Sequence, residues 1–478
     1  MTTNRPTEIP DLGFRAALQR LDAAGLLLKV EDEVDWDLEL TSILYREPER
    51  AMLFKRVKGY RMPVVGNLFG SEENLLTIYQ QDVAGLRQFI PEGLSHPIPP
   101  KSADSGPVQE IFHDNPDLIH LLPMLRYAPN DGGRYISAGV VIAKDQETGV
   151  YNASYHRFMY VERNRMALKI DQGRHLRVLW ERAKSKGEPL PIAVVLGADM
   201  GTLYAGATMG AQLPFEMDEY HVASGILRRP VELVDCRTVP LEVPADAEIV
   251  LEGSISPEEE IEEGPFMEFI GLYSDVAPAP IATISCLCHR QDPVWHAIMT
   301  KEQPFFRKPV LEAAIINGVK AAAPCVTDVA LTVGGVCRFH LNIAVKKRSA
   351  ADEGYQRNAI YAAITALKDL DLVVVVDDDI DIFDPNKLAW AFAFRVDPPR
   401  DIHMFPGWLG AADVSIHPKD RVGRVHFLGT HLLIDATKWL GYPKTEEWHG
   451  ERFAPVCYPD EKTMELVKNR WQEYGIKT

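Results

Sequence analysis

Three side chains that could bind a metal ion, Asn152, His175 and Glu232, stand in the middle of this 478-residue chain. An amide oxygen, an imidazole nitrogen and a carboxylate form a mixed set that suits Mn²⁺ or Mg²⁺ better than a thiolate-bound zinc ion. Each residue alone has a more common explanation, because a lone histidine usually makes an ordinary hydrogen bond and a strand glutamate usually pairs at the surface. Spacing alone therefore leaves the metal site as the less favoured interpretation.

A second constellation combines Arg157 with two glutamates, Glu263 and Glu268, which flank the run Gly-Pro-Phe-Met. Two carboxylates near an arginine can hold different pKa values, and general acid–base catalysis needs such a difference. Structural ion pairs shift pKa values in the same way and are more common. Both interpretations stay open on the residues alone.

A glycine-rich run, GADMGTLYAGATMG at 197–210, lies between a strand pattern and a helix pattern. It lacks the spacing G-x-G-x-x-G of a dinucleotide site and the ending G-K-[ST] of a phosphate loop. The run therefore permits close approach of a backbone but gives no evidence for NAD or ATP.

Composition excludes several classes of protein. The formal net charge of −17 repels phosphate backbones and offers no basic membrane-binding surface, so we expect neither nucleic acid nor membrane as a partner. Six cysteines without a C-x-x-C pair argue against a disulfide framework and favour a reducing compartment. The polar opening MTTNRPTEIP does not have the pattern of a secretory signal. We expect a cytoplasmic protein.

The elements that must position these side chains follow from hydrophobic periodicity. Apolar residues recur at helical spacing in 12–30, where a short strand follows the helix. Over about 108–300, short β-type runs alternate with Gly, Pro and acidic turns, which predicts a barrel-like sheet with helices near 174–186 and 216–228. After an Ala-rich helix at 309–323, strand and helix patterns alternate. The expected fold class is α/β (α+β).

Six short runs, taken in order, resemble one known family, the UbiD family of prenylated-FMN-dependent (de)carboxylases. Ferulic acid decarboxylase and 3-polyprenyl-4-hydroxybenzoate decarboxylase belong to it. Each run alone is weak, but the ordered set is specific, and the likeness extends from about residue 12 to the C-terminus. The runs are N-A-S-Y-H-R (152–157), R-H-L-R (174–177), P-V-E-L-V-D-C (230–236), E-I-V-L-E-G (248–253), E-G-P-F-M-E (263–268) and V-V-D-D-D-I-D-I-F-D (375–384).

The resemblance implies prenylated FMN as cofactor, supplied by a flavin prenyltransferase and anchored through Mn²⁺ and a monovalent cation, K⁺ or Na⁺. Asn152, His175 and Glu232 become the Mn²⁺ ligands, and the loop 207–209 would lie near the monovalent ion. Contacts with the cofactor are implied for a larger set of positions: Asn152, Ala153, Ser154, Tyr155, His156, Arg157, Arg174, His175, Met209, Glu232 and His431.

The reaction implied by the resemblance is the reversible, non-oxidative decarboxylation of an aromatic, heteroaromatic or α,β-unsaturated acid, with release of CO₂. The cofactor acts as the electron sink. Arg157 would position the substrate carboxylate, Glu263 would hold Arg157, and Glu268 would deliver the proton that replaces CO₂. An apolar wall of Phe266, Met267 and Phe269 would raise the pKa of Glu268 by desolvation.

One departure from the family pattern concerns His431, because many relatives carry lysine in the corresponding run G-T-H-L-L-I-D-A-T (429–437). Two interpretations stay open: His431 contacts the cofactor phosphate, or it donates a neutral hydrogen bond or lies away from the phosphate entirely. An adjacent phosphate would favour the imidazolium and raise the pKa of His431.

The resemblance also implies a domain arrangement and a homodimer or higher homo-oligomer. The predicted domains are an N-terminal α/β lobe (1–107), a split β-barrel that binds prenylated FMN (108–305), a linker helix at the hinge (306–320), a C-terminal α/β domain for oligomerisation (321–460) and a terminal helix that docks on a neighbouring subunit (461–478).

Two alternative functions remain open. The chain could be an ordinary FMN-dependent oxidoreductase on a split-barrel fold, or a non-catalytic binding protein that has kept the fold.

Overall fold

The computed structural model describes residues 9–208, 213–299, 303–410, 421–422, 426–457 and 459–475. The chain forms a mixed α/β structure with several sheets, as predicted. None of the described helices is both long and apolar enough to span a membrane.

The N-terminal part forms a four-stranded sheet with helices, and its last strand comes from the end of the central region. Strand order is β1-β2-β3-β16. The elements are α1 (Phe14–Ala23), β1 (Leu27–Val34), α2 (Glu39–Arg46), β2 (Ala51–Val57), β3 (Val64–Gly66), α3 (Glu72–Tyr79), α4 (Val83–Ser95) and β16 (Trp295–Ala297).

The central region contains a nine-stranded and a three-stranded sheet. Its elements are β4 (Lys101–Ser102), β5 (Ile111–Asp114), α5 (Leu118–Leu121), β6 (Tyr135–Ile136), β7 (Val140–Lys144), β8 (Tyr151–Tyr155), β9 (Phe158–Glu162), β10 (Arg165–Leu168), α6 (His175–Lys186), β11 (Leu190–Leu196), α7 (Met200–Ala207), α8 (Glu219–Leu227), β12 (Glu232–Asp235), β13 (Glu242–Pro244), β14 (Ile249–Glu263) and β15 (Ala277–His289). The helices predicted near 174–186 and 216–228 are confirmed as α6 and α8.

The nine-stranded sheet curls on itself. Its strands are hydrogen-bonded in the order β6-β9-β10-β15-β14-β11-β7-β8, and β5 pairs with β15. Strands β8 and β9 lie near opposite ends of this order, but only His156 and Arg157 connect them. Since an extended chain spans at most about 3.6 Å per residue, the two ends of the sheet must approach each other. This curling agrees with the predicted barrel-like sheet and places Arg157 at the seam.

Both faces of the nine-stranded sheet are covered by apolar residues. In β11, Ile192, Val194 and Leu196 pack into one buried cluster, whereas Ala193 and Val195 pack into the other. Successive side chains of a strand point to opposite faces, so a strand that is buried on both faces has a nearly continuous apolar sequence. The sheet is therefore a rigid support for the side chains at its ends.

The C-terminal part is a six-stranded sheet with helices. Strand order is β17-β18-β19-β22-β20, and β21 pairs with β22. The elements are α9 (Gln303–Ala322), β17 (Val326–Leu331), β18 (His340–Val345), α10 (Tyr355–Ala366), β19 (Leu372–Asp377), α11 (Pro385–Arg395), α12 (Pro398–Asp401), β20 (Ile402–Gly410), β21 (Arg421–Val422), β22 (His426–Ala436) and α13 (Glu461–Asn469).

Two further predictions concern helices. The linker helix predicted at 306–320 lies inside the 20-residue α9, which packs against α4 and α10. The apolar side chains of α13 include Met464 and Leu466, each 52% exposed. That α13 docks on a neighbouring subunit stays a prediction, as do the domain boundaries.

Candidate active site

The centre of the candidate site is Arg157, on the two-residue connection at the seam of the curled sheet. Its Nε and Nη2 donate to the two carboxylate oxygens of Glu263, each at 2.8 Å. Its Nη1 donates to Glu268, and Nη2 also donates to Ser274 Oγ at 3.0 Å. The structure thus brings together the three residues predicted as catalytic.

The Arg157–Glu263 pair is withdrawn from water. The Glu263 side chain is 0% exposed and that of Arg157 is 10% exposed. Burial acts to lower the pKa of Arg157, but the hydrogen bonds and charges of Glu263 and Glu268 outweigh it and raise that pKa. Breaking one side of such a buried pair leaves an uncompensated charge, so the two residues depend on each other.

At Glu268, unlike at Arg157, the effect of burial on the pKa outweighs the effect of the oppositely charged neighbour. Burial raises the pKa of Glu268, and the nearby Arg157 offsets only part of this effect. The charge of Asp171 raises the pKa further. A raised pKa is what a carboxyl group needs in order to act as a proton donor near neutral pH. The raised pKa predicted for Glu268 is confirmed.

The loop that carries Glu268 connects β14 to β15 and is held by polar residues that the sequence did not single out. Asp131 Oδ1 accepts a hydrogen bond from Met267 N at 3.0 Å, and its Oδ2 accepts from two further backbone N–H groups. Ser274 Oγ accepts from Phe266 N at 3.1 Å. The buried Phe266 ring lies 5.0 Å from the Arg157 guanidinium and supplies part of the predicted apolar wall.

Asn152 and His175 form a second group, and the carboxylate beside them is Glu219. Asn152 lies 2.9 Å from Glu219 Oε1, and His175 Nδ1 lies 3.7 Å from the same oxygen. Asp218 places Glu219 there: it caps α8 through Tyr220 N at 2.9 Å and accepts from Tyr151 N of β8 at 3.1 Å.

Glu232, predicted as the third metal ligand, is not part of this group. It begins β12 in the three-stranded sheet, its side chain is 51% exposed, and its carboxylate pairs with Lys101 Nζ at 2.7 Å. The structure therefore corrects the predicted set by putting Glu219 in the place expected for Glu232. An acidic residue in the first turn of a helix has the ordinary function of countering the helix dipole, so nothing in the sequence singles out Glu219.

Asn152 belongs to a chain of buried hydrogen bonds that ends at Glu219. His156 is buried with its pKa lowered to about 4 by that burial, so it is neutral at pH 7. Its Nδ1 donates to Lys169 O at 2.9 Å, and its Nε2 lies 3.0 Å from Ser154 Oγ. Ser154 Oγ lies 3.2 Å from Asn152 Oδ1, and Asn152 Nδ2 donates to Glu219 Oε1 at 2.9 Å.

The imidazole of His175, the amide of Asn152 and the carboxylate of Glu219 are groups that divalent ions such as Mn²⁺ bind. The 3.7 Å between His175 and Glu219 exceeds a hydrogen bond. Two ligands that are each about 2.1 Å from one ion lie roughly 3–4 Å apart, so this spacing fits a shared metal ion. Among the described residues, no three His, Cys, Asp or Glu side chains form such a group, and the set reaches three only through the amide.

The remaining positions predicted to contact the cofactor fall into three classes. Ala153, Ser154, Tyr155 and His156 lie with Asn152 on β8 and the connection after it, and Arg174 directly precedes α6. Met209 lies outside the described residues; of the loop predicted near a monovalent cation, only Ala207 and Thr208 are described.

His431 is buried and hydrogen-bonded in the described structure. It lies in β22, and its Nδ1 donates to Leu370 O in the loop between α10 and β19. Burial lowers the pKa of His431, and the bond to Leu370 O counters only part of this. The raised pKa is expected only beside a cofactor phosphate, so the imidazolium stays a prediction. Contact with a cofactor phosphate stays a prediction.

Comparison with known proteins identifies the family to which this chain belongs. Models of the 3-octaprenyl-4-hydroxybenzoate carboxy-lyase N-terminal domain, Rift-related domain and C-terminal domain match residues 18–84, 100–303 and 305–436. Anhydromevalonate phosphate decarboxylase of Methanothermobacter thermautotrophicus is 36% identical over 422 residues, which cover 88% of this chain and 97% of that protein. The chain belongs to the UbiD family.

Solved UbiD-class structures have the same fold. HmfF from Pelotomaculum thermopropionicum in complex with FMN has a TM-score of 0.85 at 35% identity, covering 95% of this chain and 99% of its own. An evolved dimeric form of HmfF in complex with prenylated FMN (prFMN) has a TM-score of 0.83 at 33% identity, covering 96% and 99%. As a UbiD family member, the protein is an enzyme of the carboxy-lyase type.

Glycine at position 132 is needed for the loop between Glu263 and Glu268. A Cβ at Gly132 would lie 2.3 Å from Gly264 O, whereas a Cβ at Gly133 would meet nothing nearer than 3.4 Å. Gly132→Ala should displace the loop and lower kcat/KM for CO₂ release by about 10–100-fold, since small misplacements of catalytic groups cost this much. Gly133→Ala is the matched control and should remain near wild type. Equal kinetics for the two variants, at equal thermal stability, would contradict this role.

Proposed function

We propose that this UbiD family enzyme catalyses the reversible, non-oxidative decarboxylation of an unsaturated carboxylic acid with prenylated FMN, held through a divalent metal ion. The observation that carries the proposal is the arrangement of one buried arginine between two glutamates in different electrostatic states. α,β-Unsaturated acids are the favoured class because anhydromevalonate phosphate decarboxylase is among the similar proteins. Aromatic and heteroaromatic acids remain within the proposed class.

Asn152, His175 and Glu219 are the residues that would hold the cofactor through a metal ion, and the oxygen and nitrogen donors suit Mn²⁺. A monovalent cation, K⁺ or Na⁺, would bind near the loop that begins at Ala207. When bound, prenylated FMN supplies an electron sink for the charge left when CO₂ departs. An ordinary FMN oxidoreductase would need no acid such as Glu268 and no carboxylate-binding arginine.

Arg157 has two roles: it binds the substrate carboxylate, and it influences the protonation state of Glu268. Its Nε and Nη2 are committed to Glu263, so Nη1 is the group available to a substrate carboxylate. Glu268 occupies Nη1 in the described structure. An incoming carboxylate shares Nη1 with Glu268 or displaces it and, by adding negative charge, favours protonated Glu268. Substrate binding therefore prepares Glu268 as an acid.

Glu268 then completes the reaction. Once CO₂ has left, its carboxyl proton is transferred to the carbon atom that carried the carboxylate, and the resulting Glu268 carboxylate returns to Arg157. Asp131 and Ser274 keep the loop in place while Phe266 limits the access of water. The proposed direction is set by the concentrations of acid, product and CO₂, since both directions use the same groups.

Replacing Glu268 by Gln tests the acid. Glu268→Gln keeps the size of the side chain but removes the proton, so turnover should fall by about 10²–10⁴-fold while the flavin stays bound. The wild-type rate should fall as pH rises through the raised pKa of Glu268. The matched control is Glu262→Gln, an exposed glutamate of β14. Near wild-type CO₂ release by Glu268→Gln would move the donor role elsewhere.

A second pair of variants distinguishes Glu219, which we propose as the metal ligand, from Glu232, the ligand expected from sequence. Glu219→Gln should lose bound metal and retain much less flavin, because a neutral amide binds a divalent ion more weakly than a carboxylate. Glu232→Gln removes only a surface pair with Lys101 and should keep both. Elemental mass spectrometry and the flavin absorbance of purified protein give the two readouts. The reverse pattern would restore Glu232 and exclude Glu219.

A further inference from the structure

A surplus of positive charge lies beside the candidate site. Arg307 belongs to α9, Arg338 to the turn between β17 and β18, and Arg174 directly precedes α6. Within the described part of the chain, no residue accepts a hydrogen bond from the side chains of Arg307 and Arg174, and Arg307 Nη2 is buried without a partner.

Arginines that proteins bury are normally paired with carboxylates, because an unpaired buried charge is costly. Arg157 and Arg87 follow this rule, each with two carboxylates. Arg307 does not: burial, followed by the charges of Arg338 and Arg174, lowers its pKa to about 9. The fold therefore concentrates cations around Arg307, and the one carboxylate whose charge opposes them, Asp369, makes no hydrogen bond with it.

The neighbouring carboxylate, Asp369, does not pair with Arg307. Asp369 is fully buried and accepts from Arg338 Nε at 2.7 Å, and its other oxygen lies 2.8 Å from Lys368 Nζ. One carboxylate thus faces two cations, and none of its bonds reaches Arg307. The group as a whole remains positively charged.

The position of Arg338 connects this group to the chemistry. The Arg338 guanidinium lies 5.7 Å from the ring of Phe269, the residue that follows Glu268. The Phe269 ring stacks on Phe339 with centroids 6.4 Å apart and an angle of 13°. The loop of the proton donor therefore packs directly on the segment that carries Arg338, so the positive group borders the substrate side of the site.

We propose that Arg307 and Arg338, with Arg174 at the edge of the group, bind a second anionic group of the substrate, a phosphate or a second carboxylate. This anion is distinct from the carboxylate that leaves as CO₂. The inference rests on the proposed function and narrows its substrate class to unsaturated acids with two anionic groups, called dianions below. A planar guanidinium fork suits either group, because both offer oxygen pairs for bidentate hydrogen bonds.

Two matched pairs of acids test the proposal and show whether the second anionic group is a phosphate or a carboxylate. Anhydromevalonate phosphate is compared with anhydromevalonate, and hex-2-enedioate with hex-2-enoate, by kcat/KM for CO₂ release from the enzyme with its cofactor. At least one dianion should exceed its partner by about 10–100-fold, the factor that one or two charge-assisted hydrogen bonds supply. The pair with the larger ratio identifies phosphate or carboxylate. Ratios near one in both pairs would overturn the proposal.

Arg307→Gln tests the residue itself. The preference for the dianion should shrink to about threefold or less, whereas Arg177→Gln, a control in α6 paired with Glu181, should leave the ratio unchanged. Because Arg307 is unpaired, its replacement should not lower the melting temperature. A full preference retained by a folded Arg307→Gln would overturn the assignment. Loss of flavin from this variant with an unchanged preference would do the same, because it would assign Arg307 to the cofactor.

A binding measurement separates failure of this inference from failure of the proposed function. Adipate and hexanoate have no double bond and cannot react, and calorimetric titration of the cofactor-bound enzyme should show at least tenfold tighter binding of adipate. If no acid releases CO₂ but adipate still binds through Arg307, the function fails and the anion site stands. If CO₂ is released but adipate and hexanoate bind alike, the anion site fails and the function stands.

Discussion

The buried ion pair between Arg157 and Glu263 is the interaction on which the site depends. Arg157 lies at the seam where the two ends of the curled sheet approach, and Glu263 ends the long strand β14. Their bidentate contact fixes the guanidinium so that Nη1, with two N–H groups, remains for Glu268 or for a substrate carboxylate. A rigid sheet covered on both faces holds both ends of the pair, which is the condition for catalytic groups to keep their geometry.

Around this balanced pair lie two further groups of polar side chains. Asn152, His175 and Glu219 offer nitrogen and oxygen donor atoms, whereas Arg307 Nη2 is buried without a partner and Arg338 shares Asp369 with Lys368. Buried polar groups without partners are costly, and a bound ligand that supplies the partners offsets this cost. We propose that the first group binds a metal ion and that the second binds an anionic group of the substrate.

Much of the fold and part of the site were predictable from the sequence. Short β-type runs and helical periodicity gave the mixed α/β class, because burial on one or both faces leaves a direct pattern in the residues. The roles of the three acid–base residues came from the family resemblance, since Arg157 and Glu263 are 106 residues apart in the chain. Glu219 was missed in favour of Glu232, since only tertiary packing decides which glutamate reaches Asn152. The hydrogen bond from His431 to Leu370 O was unpredictable for the same reason, because Leu370 comes from a distant segment.

The most direct test of the account follows the proton and the CO₂ together. Protein produced with a flavin prenyltransferase is incubated in D₂O with an unsaturated acid, and released CO₂ and deuterium in the product are counted. The account predicts one deuterium for each CO₂, bound to the carbon atom that carried the carboxylate, and no turnover from protein produced without the prenyltransferase. Product formation that requires NAD(P)H, or that proceeds without CO₂ release, would contradict it.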